Sequence, residues 1–162
     1  MTRAGFVEIL HLLATSEVEF IVVGMTAGVL QGAPVTTVDL DVVHRRTPEN
    51  VARLLGVLAS LDAVYRHDPR KLRPQESHLV GPGHQLLTTT QGDLDCLGAI
   101  GEGIGYEELL AQTVTMSLSG GTTVRVLSLP ALIEAKERAG RPKDLAVLPV
   151  LRATLDELKR RS

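Results

Sequence analysis

Apolar and polar positions change their spacing several times along the chain, and each change marks an element. Between Gly5 and Ala14, Phe6, Ile9, Leu10 and Leu13 recur at helical spacing, which predicts an amphipathic helix. Glu19-Phe-Ile-Val-Val-Gly24 is a short β-branched apolar run closed by glycine, the pattern of a buried strand. Met25–Leu30 is small and apolar and predicts a helix leaving the strand end directly, with Gly32-Ala-Pro34 as its breaker. Val38-Asp-Leu-Asp-Val-Val43 alternates strictly. A strand there puts Asp39 and Asp41 on one face and Val38, Leu40 and Val42 on the other.

Thr47-Pro-Glu-Asn opens a further helix with a side-chain cap, a proline at the first position and an acid in the first turn. Val51, Leu54, Leu55 and Leu58 give it an apolar face. The stretch from Asp68 to Pro82 has no period and is rich in Pro, Arg, Lys and Gly, which predicts a surface loop. Gln85–Thr90 and Asp93–Leu97 predict strands joined across Gln91-Gly92. Tyr106–Gln112 predicts a helix, and Val114–Leu118 with Thr122–Leu127 a second hairpin across Gly120-Gly121. Ser128-Leu-Pro caps and starts a helix through Lys136, and Pro142–Arg160 predicts one more. This order gives an α+β fold, a mixed sheet flanked by helices with a helical C-terminal extension. The expected organisation is an α/β core over residues 1–127 with a helical segment, 128–162, packed on it.

Composition refines the picture. Apolar residues make up 44% of the chain but aromatics only 2%, so the core must be built from Leu, Val, Ile and Ala. The formal net charge of −2 provides no global basic field, so any nucleic-acid contact would be local. A single cysteine, Cys96, excludes an internal disulfide and is read as a small buried hydrophobe in a strand. The N-terminal apolar stretch is interrupted by His11, Glu17 and Glu19, unlike a signal peptide or a membrane span. A soluble, cytoplasmic chain with no membrane partner is expected.

The chemistry begins with Asp39 and Asp41. Two residues apart on a strand, they face the same way about 7 Å apart at Cα. Two such carboxylates repel on a largely apolar strand unless cations neutralise them. Hard divalent ions such as Mg²⁺ do this, with phosphate oxygens completing their shell. A D-x-D on a solvated strand face is also common and would then be surface decoration of an unrelated α+β binding protein. Gly24 ends a strand and runs into a helix, whose first N–H groups can meet a phosphate. Asp95 lies on a later strand between Leu94 and Leu97, and is preferred as a third acid over Asp93, which is read as a turn residue.

The stretch Phe20-Ile-Val-Val-Gly-Met-Thr-Ala through Gly32-Ala-Pro-Val-Thr-Thr-Val-Asp-Leu-Asp-Val-Val resembles the minimal nucleotidyltransferases of the DNA polymerase β superfamily. Gly92-Asp-Leu-Asp-Cys-Leu resembles the strand carrying their third carboxylate. Leu127-Ser-Leu-Pro-Ala-Leu-Ile-Glu-Ala-Lys136 with Gly140-Arg-Pro-Lys-Asp144 is similar to the end of the AbiEii-toxin-like branch. The resemblance implies transfer of a nucleoside monophosphate from a nucleoside triphosphate to an RNA or protein acceptor. It also implies a toxin-like role with an antitoxin partner. By position, Gly24, Met25 and Thr26 fall at the phosphate-holding turn. Asp39, Asp41 and Asp95 fall at the catalytic metal site for Mg²⁺ or Mn²⁺, with Asp95 helping to activate the acceptor hydroxyl. Lys136, Arg141 and Lys143 fall where cations would meet the triphosphate. Met25 stands where the family has a second small residue, Val35 where its branch often has Arg, and Gln31 where it often has His. These departures support an alternative, a catalytically impaired module that binds a nucleotide or a partner.

Other polar groups carry weaker signals. Arg45 and Arg46 follow the acidic strand, where they pair with Asp39 or Asp41, meet an acceptor, or are solvated. Lys71 and Arg73 belong to the Pro-rich loop. His78 and His84 flank Gly81-Pro-Gly83, but no Cys or other ligand lies near enough to complete a zinc site. Asp144 either caps the last helix or pairs with a neighbouring lysine.

Overall fold

The first helix, α1 (Arg3–Thr15), buries Ile9, Leu10 and Leu13 completely, as their spacing requires. The computed structural model describes residues 3–162, with side chains from residue 5 onward. Strand β1 (Phe20–Val23) is buried at every position and passes directly into α2 (Gly24–Leu30), followed by β2 (Asp39–His44). Helix α3 (Pro48–Ser60) starts as its sequence dictates, with the Thr47 hydroxyl accepting from the Asn50 N–H at 3.3 Å and Pro48 in the first turn. Next come β3 (Val64–Tyr65), α4 (Glu76–Leu79), and the hairpin of β4 (His84–Thr89) and β5 (Gly92–Leu97). Helix α5 (Tyr106–Leu109) tightens into a 3₁₀ turn, Leu110–Gln112, before the hairpin of β6 (Thr113–Ser117) and β7 (Thr123–Leu127). Three helices end the chain: α6 (Leu129–Ala139), α7 (Pro142–Ala146) and α8 (Leu148–Arg161).

The strands form one seven-stranded mixed sheet in the order β3-β4-β5-β2-β1-β7-β6. Strand β2 runs antiparallel to β1 and parallel to β5, so it occupies the middle of the sheet. Its register opposes Asp39 to Asp93 and Asp41 to Asp95, while Leu40 and Val42 face the other side and are fully buried. Cys96 is fully buried on β5, and burial pushes its thiol up to about 12.

Asn50 locks the entry to this arrangement. It is fully buried, accepts from the Glu19 N–H at 2.7 Å, and donates to the carbonyls of Glu19 and Arg45. One amide thus joins the start of β1, the exit of β2 and helix α3, satisfying backbone groups that no ladder reaches.

The structure corrects several sequence expectations. Val38 precedes β2 and is 66% exposed rather than packed with Leu40 and Val42. The first hairpin turns at Thr90-Gln91, since Gly92 already pairs with Thr89. The aperiodic stretch from Asp68 to Pro82 contains α4, a single helical turn too short to show a period. The C-terminal helix is two helices, α7 and α8. Pro149 has no N–H for the Leu145 carbonyl, and its ring would strike that carbonyl, so the chain restarts at Leu148. Helix α6 stops at Gly140, whose φ of 64° is the left-handed cap glycine provides. Among the described residues, no helix is long and apolar enough to cross a membrane.

Candidate active site

The parallel pairing of β2 with β5 brings Asp39, Asp41, Asp93 and Asp95 to one face as two cross-strand pairs. Neighbouring strands lie about 4.8 Å apart, so each pair stands side by side across the β2–β5 ladder. Asp95 is 8% exposed. Asp41 is half-buried, and its Oδ1 is enclosed without a hydrogen-bond partner. Burial pushes the Asp41 carboxyl up to about 7, helped by a hydrogen bond shared with Asp95 and by the charges of Asp95 and Asp39; Lys136 opposes the shift.

Arg66, just past β3, provides the other compensation. Its Nη2 donates to Asp95 Oδ1 and to the Leu87 carbonyl, and its Nε lies 3.3 Å from Asp93 Oδ2. Asp93 accepts from the Thr88 hydroxyl at 2.9 Å on its other oxygen. Asp93 is therefore part of the acidic face and not an ordinary turn residue. Sequence reasoning missed Arg66 and undervalued Asp93. A usable signal was the repeated spacing, since Asp93-x-Asp95 duplicates Asp39-x-Asp41.

The glycine turn closes the site. Val23 pairs with Asp41, so Gly24 emerges beside that carboxylate with a φ of 64°. A Cβ there would sit 2.4 Å from Asp41 Oδ2. Gly24→Ala therefore combines left-handed strain with a collision, and should lower stability by about 1–3 kcal/mol. Thermal unfolding will read this as a fall in midpoint. Thr26 is buried, and its hydroxyl donates to the Asp39 carbonyl at 2.8 Å, fastening α2 to β2 rather than facing solvent. Met25 is half-buried against the core.

No family model and no curated protein sequence matches the chain, but solved structures do match it. One is a crystal structure from Thermotoga maritima, of a protein classed provisionally as a nucleotidyltransferase. It superposes with a TM-score of 0.59 at 19% identity over 97% of this chain and 96% of that one. The antibiotic-resistance factor ANT(2″)-Ia, in complex with adenylyl-2″-tobramycin, gives 0.59 at 18% identity over 98% and 92%. Its solution structure gives 0.58 at 16% identity over 96% and 83%. The chain has the nucleotidyltransferase fold.

On that fold, the hard oxygens of Asp39, Asp41 and Asp95 are the groups that could hold a divalent cation. The orphaned Asp41 Oδ1 fits such a role. Among the described residues, no three acidic, His or Cys side chains are already gathered as a coordination sphere. Asp95 is instead drawn to Arg66 and Asp41.

The basic candidates divide. Lys136 lies 3.4 Å from Asp144 and close enough to Asp41 to lower its pKa. Arg141 bonds Asp144 at 2.6 Å, and with Lys136 holds that fully buried carboxyl below the usual carboxylate range. Asp144 also accepts from the Arg141 N–H, so it both pairs and caps α7. Lys143 is exposed and makes no ion pair among the described residues. Arg45 turns away from the acids to Glu19 and Glu107, and Arg46 is exposed. Arg73 pairs with Asp62, and Lys71 is exposed. His78 accepts from the Gln75 N–H and His84 contacts the Ala99 carbonyl, so each ring has a separate backbone partner.

Proposed function

We propose that the chain is a nucleotidyltransferase dependent on Mg²⁺ or Mn²⁺. It would move a nucleoside monophosphate from a nucleoside triphosphate to a hydroxyl on RNA or protein, as the toxin-like member of a toxin–antitoxin pair. The observation carrying this reading is the acidic face, where Asp41 has an orphaned buried oxygen beside a glycine turn and burial raises its pKa. The fold shared with an enzyme captured with adenylyl-2″-tobramycin supports nucleotidyl transfer as the reaction class.

A bound divalent cation supplies charge balance and polarises the phosphate under attack. Asp39, Asp41 and Asp95 would hold it. Gly24, whose missing side chain makes space for the Asp41 carboxylate, would present the turn to the triphosphate, and Lys136, near Asp41 and Asp144, would add positive charge. Asp95, anchored through Oδ1 by Arg66, would also help to activate the acceptor hydroxyl. Met25 on α2, with Arg141 and Lys143 at the start of α7, would shape the nucleotide pocket, and Thr26 would hold α2 against β2.

A second reading follows from the Arg66–Asp95 pair, which neutralises an acid without a metal. On this reading the chain binds a nucleotide or a protein partner and transfers nothing. Incubation with α-labelled nucleoside triphosphates, Mg²⁺, total RNA and total protein separates the two. Label transferred by wild type and lost in Asp39→Ala/Asp41→Ala supports the enzyme. Retained nucleotide without transfer supports the module, and neither result sinks both.

A further inference from the structure

We infer that Arg66 is a positioning residue that aims the Asp95 carboxylate at a divalent cation, and is not a plug that keeps the cation out. This inference rests on the metal-dependent reading above. A plug would sit on an exposed stem, engage both oxygens of its acid and leave easily. Arg66 does none of these. Its own N–H donates to the Leu86 carbonyl at 2.9 Å, and its Nη2 to the Leu87 carbonyl at 2.8 Å. Both anchors lie on β4, the strand next to Asp95, and neither involves an acid. The side chain is only 16% exposed. Withdrawing it would strand the Leu87 carbonyl and bare the stem.

The backbone around Arg66 is equally committed. His67 adopts a φ of 63°, and Asp62 and Lys71 a φ of 51° each, left-handed conformations that non-glycine residues rarely take. These turns fold the segment back so that the Tyr65 N–H meets the Leu72 carbonyl at 2.9 Å. The result is a fixed guanidinium with a divided task. It engages one oxygen of Asp95, leaving the other to Asp41. It also lies against Asp93, whose remaining oxygen belongs to Thr88. The single guanidinium charge is shared between Asp93 and Asp95, with the hydrogen bond going to Asp95, and it fixes where Asp95 stands opposite Asp41. Outer partners that orient ligating carboxylates in this way are worth tenfold to a hundredfold in metal affinity.

The test uses Mn²⁺ alone, titrated into the full chain without nucleotide, with free Mn²⁺ read by electron paramagnetic resonance. Wild type should bind and Asp39→Asn should not; if wild type fails to bind, the metal-dependent reading falls and takes this inference with it. Given wild-type binding, Arg66→Leu should weaken Mn²⁺ by at least about tenfold. Arg66→Lys, which keeps the charge but loses the fork, should bind Mn²⁺ more tightly than Arg66→Leu without reaching wild type. A merely structural contribution would make both losses follow the thermal midpoint and not the charge. Should Arg66→Leu fail to fold, Arg66→Gln carries the decision at the same threshold. Unchanged or tighter binding in a folded Arg66→Leu or Arg66→Gln overturns the inference while leaving the metal-dependent reading standing.

Discussion

Asp41→Asn should stabilise the cation-free protein at neutral pH while reducing the proposed nucleotidyl transfer by a factor on the order of 10³ or more, because one carboxylate carries both effects. The stability arm follows from proton linkage. Asp41 is held at about 7 in the folded chain against an ordinary value of 3.8, so between those values the folded state binds more protons than the unfolded one. The stabilisation this group contributes is complete below about 3.8 and is lost as pH rises through 7. The whole difference corresponds to about 4 kcal/mol as an upper bound. Water and relaxation at a half-buried site cut that to a gain of about 1–2 kcal/mol for the asparagine variant. Melting curves in chelator should show the two proteins converging towards pH 4, drawing apart between pH 4 and 7, and keeping a constant gap above pH 7, the variant higher. Added Mg²⁺ should close the gap by raising wild type alone. A variant equally or less stable at pH 8 would show that Asp41 carries no strain.

The largest stability loss should come from a residue outside the chemistry. Gly98 ends the strand bearing Asp95, and a Cβ there would lie 2.2 Å from the Gly81 carbonyl and 2.8 Å from Pro82 Cα. Both obstacles are backbone, and the loop holding them is tied down because the Gly98 N–H donates to the Gly83 carbonyl at 3.0 Å. No rotamer change can relieve the clash, so Gly98→Ala should cost about 3 kcal/mol. For a chain of this size that is about 6–12 °C in melting temperature. Gly56 is the internal control. It sits mid-helix in α3 with nothing within 4 Å of its added Cβ, so Gly56→Ala should stabilise by about 0.5–1 kcal/mol. The same substitution thus takes opposite signs at two glycines.

The sequence was most legible where a local rule decides the structure. The caps at Thr47 and Ser128, the alternation around Asp39 and Asp41, and both hairpins needed only neighbours a few residues away, and the described fold has each of them. Pro149 was visible too, but the apolar spacing across it was given more weight than the hydrogen bond it removes. Arg66 could not be read from its surroundings. It follows a two-residue strand with no period, and its partners lie on β4 and β5, more than twenty residues away. Asp93 looked like a turn residue because it adjoins Gly92, and only the pairing of β5 with β2 sets it against Asp39. Lys136 was legible as a cation near the site, whereas its bond to Asp144 depends on how α7 folds back on α6.

The acidic pairs also bear on how the molecule holds together. Parallel strands β2 and β5 meet along the central seam of the sheet, and the contact that closes it is the one that crowds like charges. Most sheets are weakest at their rims; this one carries electrostatic tension at its middle. Anything that neutralises that tension acts as a rivet between the halves on either side, so occupancy and cohesion become one equilibrium. Resistance to proteolysis across the seam would then report what the seam contains.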